Sequence, residues 1–261
     1  MEEILEIPLI HGSTICNYVL KNLKTLPEVN VSSDVKILTV IDKRHKSSCI
    51  LQKSNLLNCE VTVIQVDKYI KFISKIEGLI GFIEKNYEEL PEYILYMDGF
   101  DTLIINNLDN PSSILKYYDC KLLFNATPGY HINSGVPQKY TDLKKYSESI
   151  LEMKDSFIKK NHQKFNLSKN NETSLNAGIF IGEKRFTLQI LKEVYEYMLS
   201  DHELGFPYGS TCDQIVFKYM NNKYFDDICI DIYKKLTLWG NEKTIEEEDS
   251  IYSINYNRIK K

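Results

Sequence analysis

The sequence predicts an α/β fold in which helices flank an open, mostly parallel sheet within a single domain of residues 1–261. Short β-rich apolar runs alternate with segments of helical periodicity over the first half of the chain, which is the pattern of successive strand–helix units. The 261 residues are 43% hydrophobic and 26% charged, a composition typical of a globular chain that buries one sizeable core. No internal repeat and no linker-like composition divides the chain, so one domain is expected.

The first half of the chain predicts four strands with helices between them. Apolar β-rich runs place the strands at residues 35–41, 61–66, 93–97 and 122–125. The predicted helices lie at residues 47–57, where Ser47 or Ser48 is the cap, and at residues 70–83 and 112–118. Gly78 and Gly81 weaken the prediction for the second helix, because glycine lowers helix stability.

The second half of the chain begins with a break in this pattern. Residues 127–173 are polar and contain prolines and glycines, so we expect an insertion that forms a lid or an element that binds a second substrate. Residues 177–181 then predict a strand, residues 186–199 a helix, and Asp213 the start of another helix. Residues 1–33 are predicted to be an N-terminal extension and residues 240–261 a C-terminal tail.

Charge and hydropathy narrow the functional classes. The 32 basic and 36 acidic side chains give a net charge of −4, which disfavours a nucleic-acid-binding protein with a basic face. We expect no membrane span, because the longest apolar runs have strand length. The acidic first residues lack the features of a signal peptide, so a cytoplasmic protein with free thiols at its six cysteines is expected.

Two carboxylates follow the third predicted strand, in the sequence D-G-F-D at residues 98–101. Ligands of open α/β sheets bind beyond the carboxyl ends of the strands, and Mg²⁺ or Mn²⁺ takes oxygen ligands such as Asp98 and Asp101. The alternative is an aspartate-rich turn in which one carboxylate caps the next helix.

Three blocks of sequence extend this observation. They are Y-M-D-G-F-D-T-L-I at residues 96–104, L-N-A-G-I-F-I-G at residues 175–182 and D-Q-I-V-F at residues 213–217. They resemble the D-x-[YF]-D, L-N-S-G-G-F-I-G and D-Q-L-F-Y motifs of the glycosyltransferase domains of lysyl hydroxylases and procollagen galactosyltransferases, in the same order. With weaker similarity elsewhere, the resemblance spans about residues 35–257, and it implies a GT-A-type, Rossmann-like sheet and a UDP-sugar-dependent enzyme.

The resemblance implies a role for individual residues. It implies that Mn²⁺ or Mg²⁺ is held by two aspartates and by an amide standing where the family has a histidine: Asp98, Asp101 and Asn255. It implies that the pocket for the nucleotide and the donor sugar is lined by Thr39, Val40, Phe100, Ala177 and Gly178. It also implies that the catalytic side chains are Asn176, Asp213 and Gln214. Simpler interpretations remain open: a core aromatic at Phe100, a tight strand contact at Gly178 and a helix N-cap at Asp213.

The function implied is transfer of a hexose from a UDP-sugar to a hydroxyl of a protein or glycan acceptor, with a divalent metal stabilising the leaving UDP. Thr127, Cys212 and the missing histidine depart from the family pattern, so a nucleotide-sugar-binding protein without turnover is a second hypothesis. A metal-dependent phosphohydrolase is a third, although the spacing of Asp98 and Asp101 does not match the D-x-D-G-T-L motif of haloacid dehalogenase-type enzymes. The donor sugar, the acceptor and the oligomeric state do not follow from the sequence.

Overall fold

A computed structural model describes residues 9–11, 29–42, 60–67, 72–99, 102–104, 107–128, 156, 159–166, 173–199 and 213–239. The strands are β1 (Leu9–His11), β2 (Val35–Asp42), β3 (Val61–Val66), β4 (Tyr93–Met97), β5 (Thr102–Ile104), β6 (Leu122–Pro128), β7 (Thr173–Glu183), β8 (Ile228–Ile230) and β9 (Thr237–Trp239). The longer helices are α1 (Ile73–Lys85), α2 (Pro111–Tyr118), α3 (Lys184–Leu199) and α4 (Asp213–Lys223), and residues 159–165 are also helical.

The main sheet has the strand order β3-β2-β4-β7-β6-β8. All of its strands are parallel except β7, which is antiparallel to both β4 and β6. The predicted α/β class with a mostly parallel sheet is therefore confirmed. A small second sheet has the order β5-β1-β9, in which β1 (Leu9–His11) lies between β5 and β9. Part of the predicted N-terminal extension therefore belongs to the fold.

Two buried apolar clusters lie on the two faces of the main sheet. One cluster joins the sheet to α1, α3 and α4, and the other joins it to α2 and to residues of β5 and the β8–β9 connection. Helices on both faces explain why the parallel strands read as continuous apolar runs. In the described part of the chain, no helix is both long enough and apolar enough to cross a lipid bilayer.

Helix α1 continues through Gly78 and Gly81 without interruption. A Cβ atom built on Gly78 would lie 3.2 Å from Val66 Cγ1 and 3.4 Å from Val40 Cγ1. The small residue therefore lets α1 approach β2 and β3 closely, and packing of the apolar face outweighs the low helix propensity of glycine. The helix begins at Ile73, three residues later than the start predicted from the isoleucine spacing.

The predicted insertion is shorter than expected at both ends. Strand β6 continues through Pro128 and β7 begins at Thr173, where these segments pair with each other. Inside the insertion, residues 159–165 pack against the end of α4, where Lys160 Nζ donates to the Asn222 carbonyl at 2.7 Å. The lid role remains a prediction, and the predicted helix at residues 47–57 and the tail at residues 240–261 lie outside the described residues.

Candidate functional site

Residues 96–104, the first of the three sequence blocks, include the carboxyl end of β4 in the main sheet. Asp98 follows Met97 directly, and its backbone N–H donates to the Gly178 carbonyl of β7 at 2.7 Å. The register between β6 and β7 shifts next to this point, because Phe124 pairs with Phe180 whereas Asn125 pairs with Asn176. Residues 177–179 are thus extra residues on β7, and irregularities of this kind commonly redirect side chains beside active sites.

A buried lysine of α1 joins all three blocks. Lys75 Nζ lies 2.5 Å from Asp213 Oδ2 and 3.8 Å from Asp98 Oδ1, and it donates to the Ala177 carbonyl at 3.0 Å. Only 3% of the Lys75 side chain and 3% of the Asp213 side chain are exposed. Burial of an ammonium group is unfavourable unless the group is paired and hydrogen-bonded. The partners of Lys75 near the ends of β4 and α4 and on β7 must therefore lie close to it.

Tyr96 holds the carboxylate of Asp98 in place. Its hydroxyl donates to Asp98 Oδ1 at 2.6 Å. Its ring is stacked on Phe180, with ring centroids 5.1 Å apart, and Lys75 Nζ lies 4.9 Å from the ring centroid. Tyr96 is almost fully buried, whereas about a third of the Asp98 side chain is exposed. The carboxylate therefore faces solvent from a rigid support.

Asp213 lies where the prediction placed it, at the start of α4. Burial raises the pKa of its carboxyl, and the positive charge of Lys75 opposes that increase. Its Oδ1 accepts from the Gln214 backbone N–H at 2.9 Å, as an anion at a helix N-terminus does. Asp213 is the first residue of α4, and its pairing with Lys75 was not predicted; its catalytic role remains a prediction.

The two predicted amide side chains fix the backbone of β7. Asn176 Oδ1 accepts from the Gly178 N–H at 2.7 Å, and Gln214 Oε1 accepts from the Ala177 N–H at 3.4 Å. These bonds use the amide oxygens, so the NH₂ groups are the donors that each residue can offer to a ligand.

The second half of β2 lies against the turn that follows β4. A Cβ atom on Gly99 would lie 2.9 Å from Thr39 Oγ1, so only glycine fits there without a shift. Among the described residues, the buried Thr39 hydroxyl has no hydrogen-bond partner. Val40 is different, because its side chain belongs to the core beneath α1. Any contribution of Val40 to a nucleotide pocket therefore has to come from its backbone.

Three predicted site residues, Phe100, Asp101 and Asn255, lie outside the described residues. Within the described part of the chain, no group of three or more His, Cys, Asp or Glu side chains is arranged to hold a metal ion. Asp98 is the predicted metal ligand whose position is described, and the proposed metal set stays a prediction.

Sequence reasoning missed Lys75 and Tyr96. The signal for Lys75 was a lysine between Ile73 and Ile76 in the first turn of an apolar helix, and the signal for Tyr96 was a hydroxyl two residues before an aspartate. Side chains on alternate strand positions share a face, so the second contact was open to prediction. The contacts of Lys75 with Ala177 and Asp213 depend on the packing of α1 against α3, β2 and β3, which no local pattern encodes.

No protein-family model matches this chain, and no curated protein matches it either.

Proposed function

We propose that this chain is a metal-dependent glycosyltransferase of GT-A type that transfers a hexose from a UDP-sugar to a hydroxyl acceptor. The observation that supports the proposal is the convergence on Lys75 of Asp98, Ala177 and Asp213. These three residues belong to the three separate blocks that carry the resemblance, about 80 and 36 residues apart along the chain. A chance similarity in three short motifs gives no reason for them to meet around one buried cation.

The position of the site also supports this function. Asp98 follows the carboxyl end of a central strand, at the edge where ligands of open α/β sheets bind. The neighbouring strand β2 contributes Thr39, whose hydroxyl is fully buried beside Gly99 and lacks a partner among the described residues.

The donor atoms present suit a hard divalent cation. Asp98 offers carboxylate oxygen to solvent, and Asp101 is the proposed second ligand, with Asn255 as the third. Bound there, Mn²⁺ or Mg²⁺ would neutralise charge on the leaving UDP. The ammonium of Lys75 pairs with Asp213 at 2.5 Å and lies farther from Asp98, at 3.8 Å. Lys75 therefore leaves the carboxylate of Asp98 available to such an ion.

The remaining residues orient the donor sugar. Asn176 and Gln214 hold the β7 backbone through their amide oxygens and direct their NH₂ donors to hydroxyl groups of the sugar. The backbone of Gly178 is hydrogen-bonded on both sides, to Asn176 and to Asp98. This network gives the sugar a preorganised wall, which is how an enzyme reduces the entropic part of a barrier.

A nucleotide-sugar-binding protein without turnover is the second candidate. It is favoured by the state of Asp213, whose two carboxylate oxygens contact Lys75 Nζ and the Gln214 N–H. A carboxylate held in this way supports the architecture of the site but has little freedom to act on a reacting group.

Incubation of the protein with a panel of UDP-sugars and Mn²⁺, followed by measurement of UDP release, separates the two candidates. The proposal predicts UDP release with at least one donor, and loss of that release in Asp98→Asn. Asp109→Asn, an exchange of an exposed aspartate in the β5–α2 connection, is the matched control and should behave as wild type. Binding of UDP-sugar without release would favour the second candidate, and neither binding nor release would contradict both.

A further inference from the structure

Two cysteines from distant parts of the chain meet on the face of the main sheet that α2 covers. Cys120 lies in the connection between α2 and β6, and Cys229 is the middle residue of β8. Both are free cysteines, Cys120 packs against the buried cluster that contains Cys229, and the two thiols are hydrogen-bonded to each other. We propose that Cys120 and Cys229 are a redox-active pair, which a peroxide converts to a disulfide and a thiol reductant restores.

This proposal does not rest on the proposed function, because neither cysteine belongs to the three sequence blocks. It assigns a site of reversible oxidation, and its test needs no UDP-sugar and no metal.

The backbone brings the two cysteines together. β6 and β8 are parallel neighbours in the main sheet. The N–H of Lys121 donates to the Asp227 carbonyl at 2.9 Å, which ties the chain just after Cys120 to the chain just before Cys229. Cys229 Sγ lies 3.5 Å from the carbonyl oxygen of Tyr118, two residues before Cys120. A disulfide forms only between cysteines whose backbones are already close, and this pairing supplies that condition.

Lys164 is the positive charge beside the pair. The hydrogen bond from the Cys120 thiol and the ammonium of Lys164 lower the pKa of Cys229, whereas burial opposes them. The same hydrogen bond, together with burial, raises the pKa of Cys120. When the pair loses one proton, the negative charge therefore resides mainly on Cys229, and a thiolate is the nucleophilic form of cysteine. Lys164 is held in place by the Phe225 carbonyl, 3.4 Å from its Nζ, and by the Phe225 ring, whose centroid is 5.2 Å away.

The two sulfurs differ in their access to solvent. Only 1% of Cys229 is exposed, whereas Cys120 is partly exposed and lines a surface cavity of about 440 Å³ together with Lys121 and Asp227. A small peroxide therefore reaches Cys120 first, and Cys229 lies behind it. An accessible sulfur next to a second cysteine that resolves it is the usual arrangement of a redox-sensing pair.

The reaction consumes one peroxide for each disulfide. Cys120 passes its proton along the hydrogen bond to Cys229, which in its protonated form donates to the Tyr118 carbonyl. The Cys120 thiolate attacks hydrogen peroxide, so that an S–O bond forms, the O–O bond breaks, and the leaving hydroxide takes the proton from Cys229 as water. The Cys229 thiolate then attacks the sulfur of the Cys120 sulfenic acid, the S–S bond forms, and a second hydroxide leaves. Two thiols are oxidised by two electrons in total, and the peroxide is reduced by two.

Peptide mapping of the wild-type protein tests the proposal. The protein is treated with hydrogen peroxide, its remaining thiols are blocked with N-ethylmaleimide in denaturant, and cross-linked peptides are identified by mass spectrometry. A peptide pair joined through Cys120 and Cys229 is expected, and dithiothreitol should abolish it. In Cys229→Ser the link cannot form, and Cys120 should accumulate as the sulfenic acid, which dimedone labels.

A second comparison tests the role of Lys164 as a positioning residue. Lys164→Gln should slow formation of the disulfide by about threefold, because loss of the positive charge lowers the thiolate fraction more than it raises nucleophilicity. Lys160→Gln is the matched control and should react at the wild-type rate. Lys160 lies one turn earlier in the helical residues 159–165, and its Nζ contacts the Asn222 carbonyl and lies 5.5 Å from the centroid of the Phe225 ring.

Two results would overturn the proposal. The first is absence of the Cys120–Cys229 link in wild type at a peroxide concentration that oxidises Cys120 in Cys229→Ser. The second is a link from Cys120 to another cysteine in place of Cys229. Equal rates in wild type, Lys164→Gln and Lys160→Gln would contradict the part assigned to Lys164. Because the mapping uses the wild-type protein, loss of folded protein in a variant cannot produce either of the first two results.

Discussion

Replacement of Lys75 by methionine should destabilise the protein strongly. The substitution keeps most of the side-chain volume and removes the ammonium that lies 2.5 Å from Asp213 Oδ2 and donates to the Ala177 carbonyl at 3.0 Å. Because both side chains of the ion pair are about 3% exposed, water cannot replace the lost partner. Removing one member of a buried ion pair costs about 3–5 kcal/mol, and we expect a decrease of that size in the free energy of unfolding.

The cost should depend on pH in a defined direction. Burial already raises the pKa of Asp213, and Lys75 is the main opposing influence, so the pKa in the folded variant rises further. A folded carboxyl with a raised pKa binds a proton that the unfolded chain, with a pKa near 3.8, releases. The stability of Lys75→Met should therefore increase as the pH falls below the folded pKa, by up to about 1.4 kcal/mol per pH unit.

Urea denaturation of wild type, Lys75→Met, Asp213→Asn and the double variant at pH 7.5 and pH 5 measures both effects. The double variant should recover much of the stability lost in Lys75→Met, because it no longer leaves a buried charge without a partner. A loss below about 1 kcal/mol in Lys75→Met at pH 7.5, or a loss that Asp213→Asn does not relieve, would refute this account of the ion pair.

Three further outcomes follow from the fold and the proposed site. Gly182→Ala should destabilise the protein by about 1–3 kcal/mol, because a Cβ atom there would lie 2.5 Å from Thr187 Oγ1. Gly81→Ala should stabilise the protein by about 0.5–1 kcal/mol, because a Cβ atom there has open space. Equal stabilities of the two variants in chemical denaturation would contradict this packing. Hydrogen exchange within the insertion at residues 127–173 should slow when UDP and Mn²⁺ are added, and an unchanged exchange pattern would argue against a lid. Asn255→Ala should weaken Mn²⁺ binding in the presence of UDP by about 1–2 kcal/mol, and an affinity equal to that of wild type would exclude the tail from coordination.

Much of the main sheet was predictable because its strands are apolar and β-rich on both faces. Strands β3 and β4 have the predicted bounds, and β2 exceeds them by one residue. The reversed direction of β7 was not predictable, since direction depends on the path of the insertion before it. The three-residue strands β1 and β9 were also missed, because their pairing comes from distant segments and their length carries no periodic pattern.

The candidate site was predictable in its motif residues and not in their support. Asp98 and Asp213 lie at the strand end and helix start where the sequence placed them. Tyr96 contacts Asp98 two residues along the chain, a contact that strand alternation makes predictable, whereas Lys75 reaches a carbonyl 102 residues away. Such pairings arise from helix–sheet packing, which a single sequence specifies only through the whole core.

Calorimetric titration of UDP into the wild-type protein, with Mn²⁺ and again after its removal by a chelator, tests the proposed function most directly. Binding of UDP should require Mn²⁺, and its affinity should decrease by at least about tenfold when Asp101 is replaced by asparagine. Equal affinity for UDP with and without the metal would contradict it.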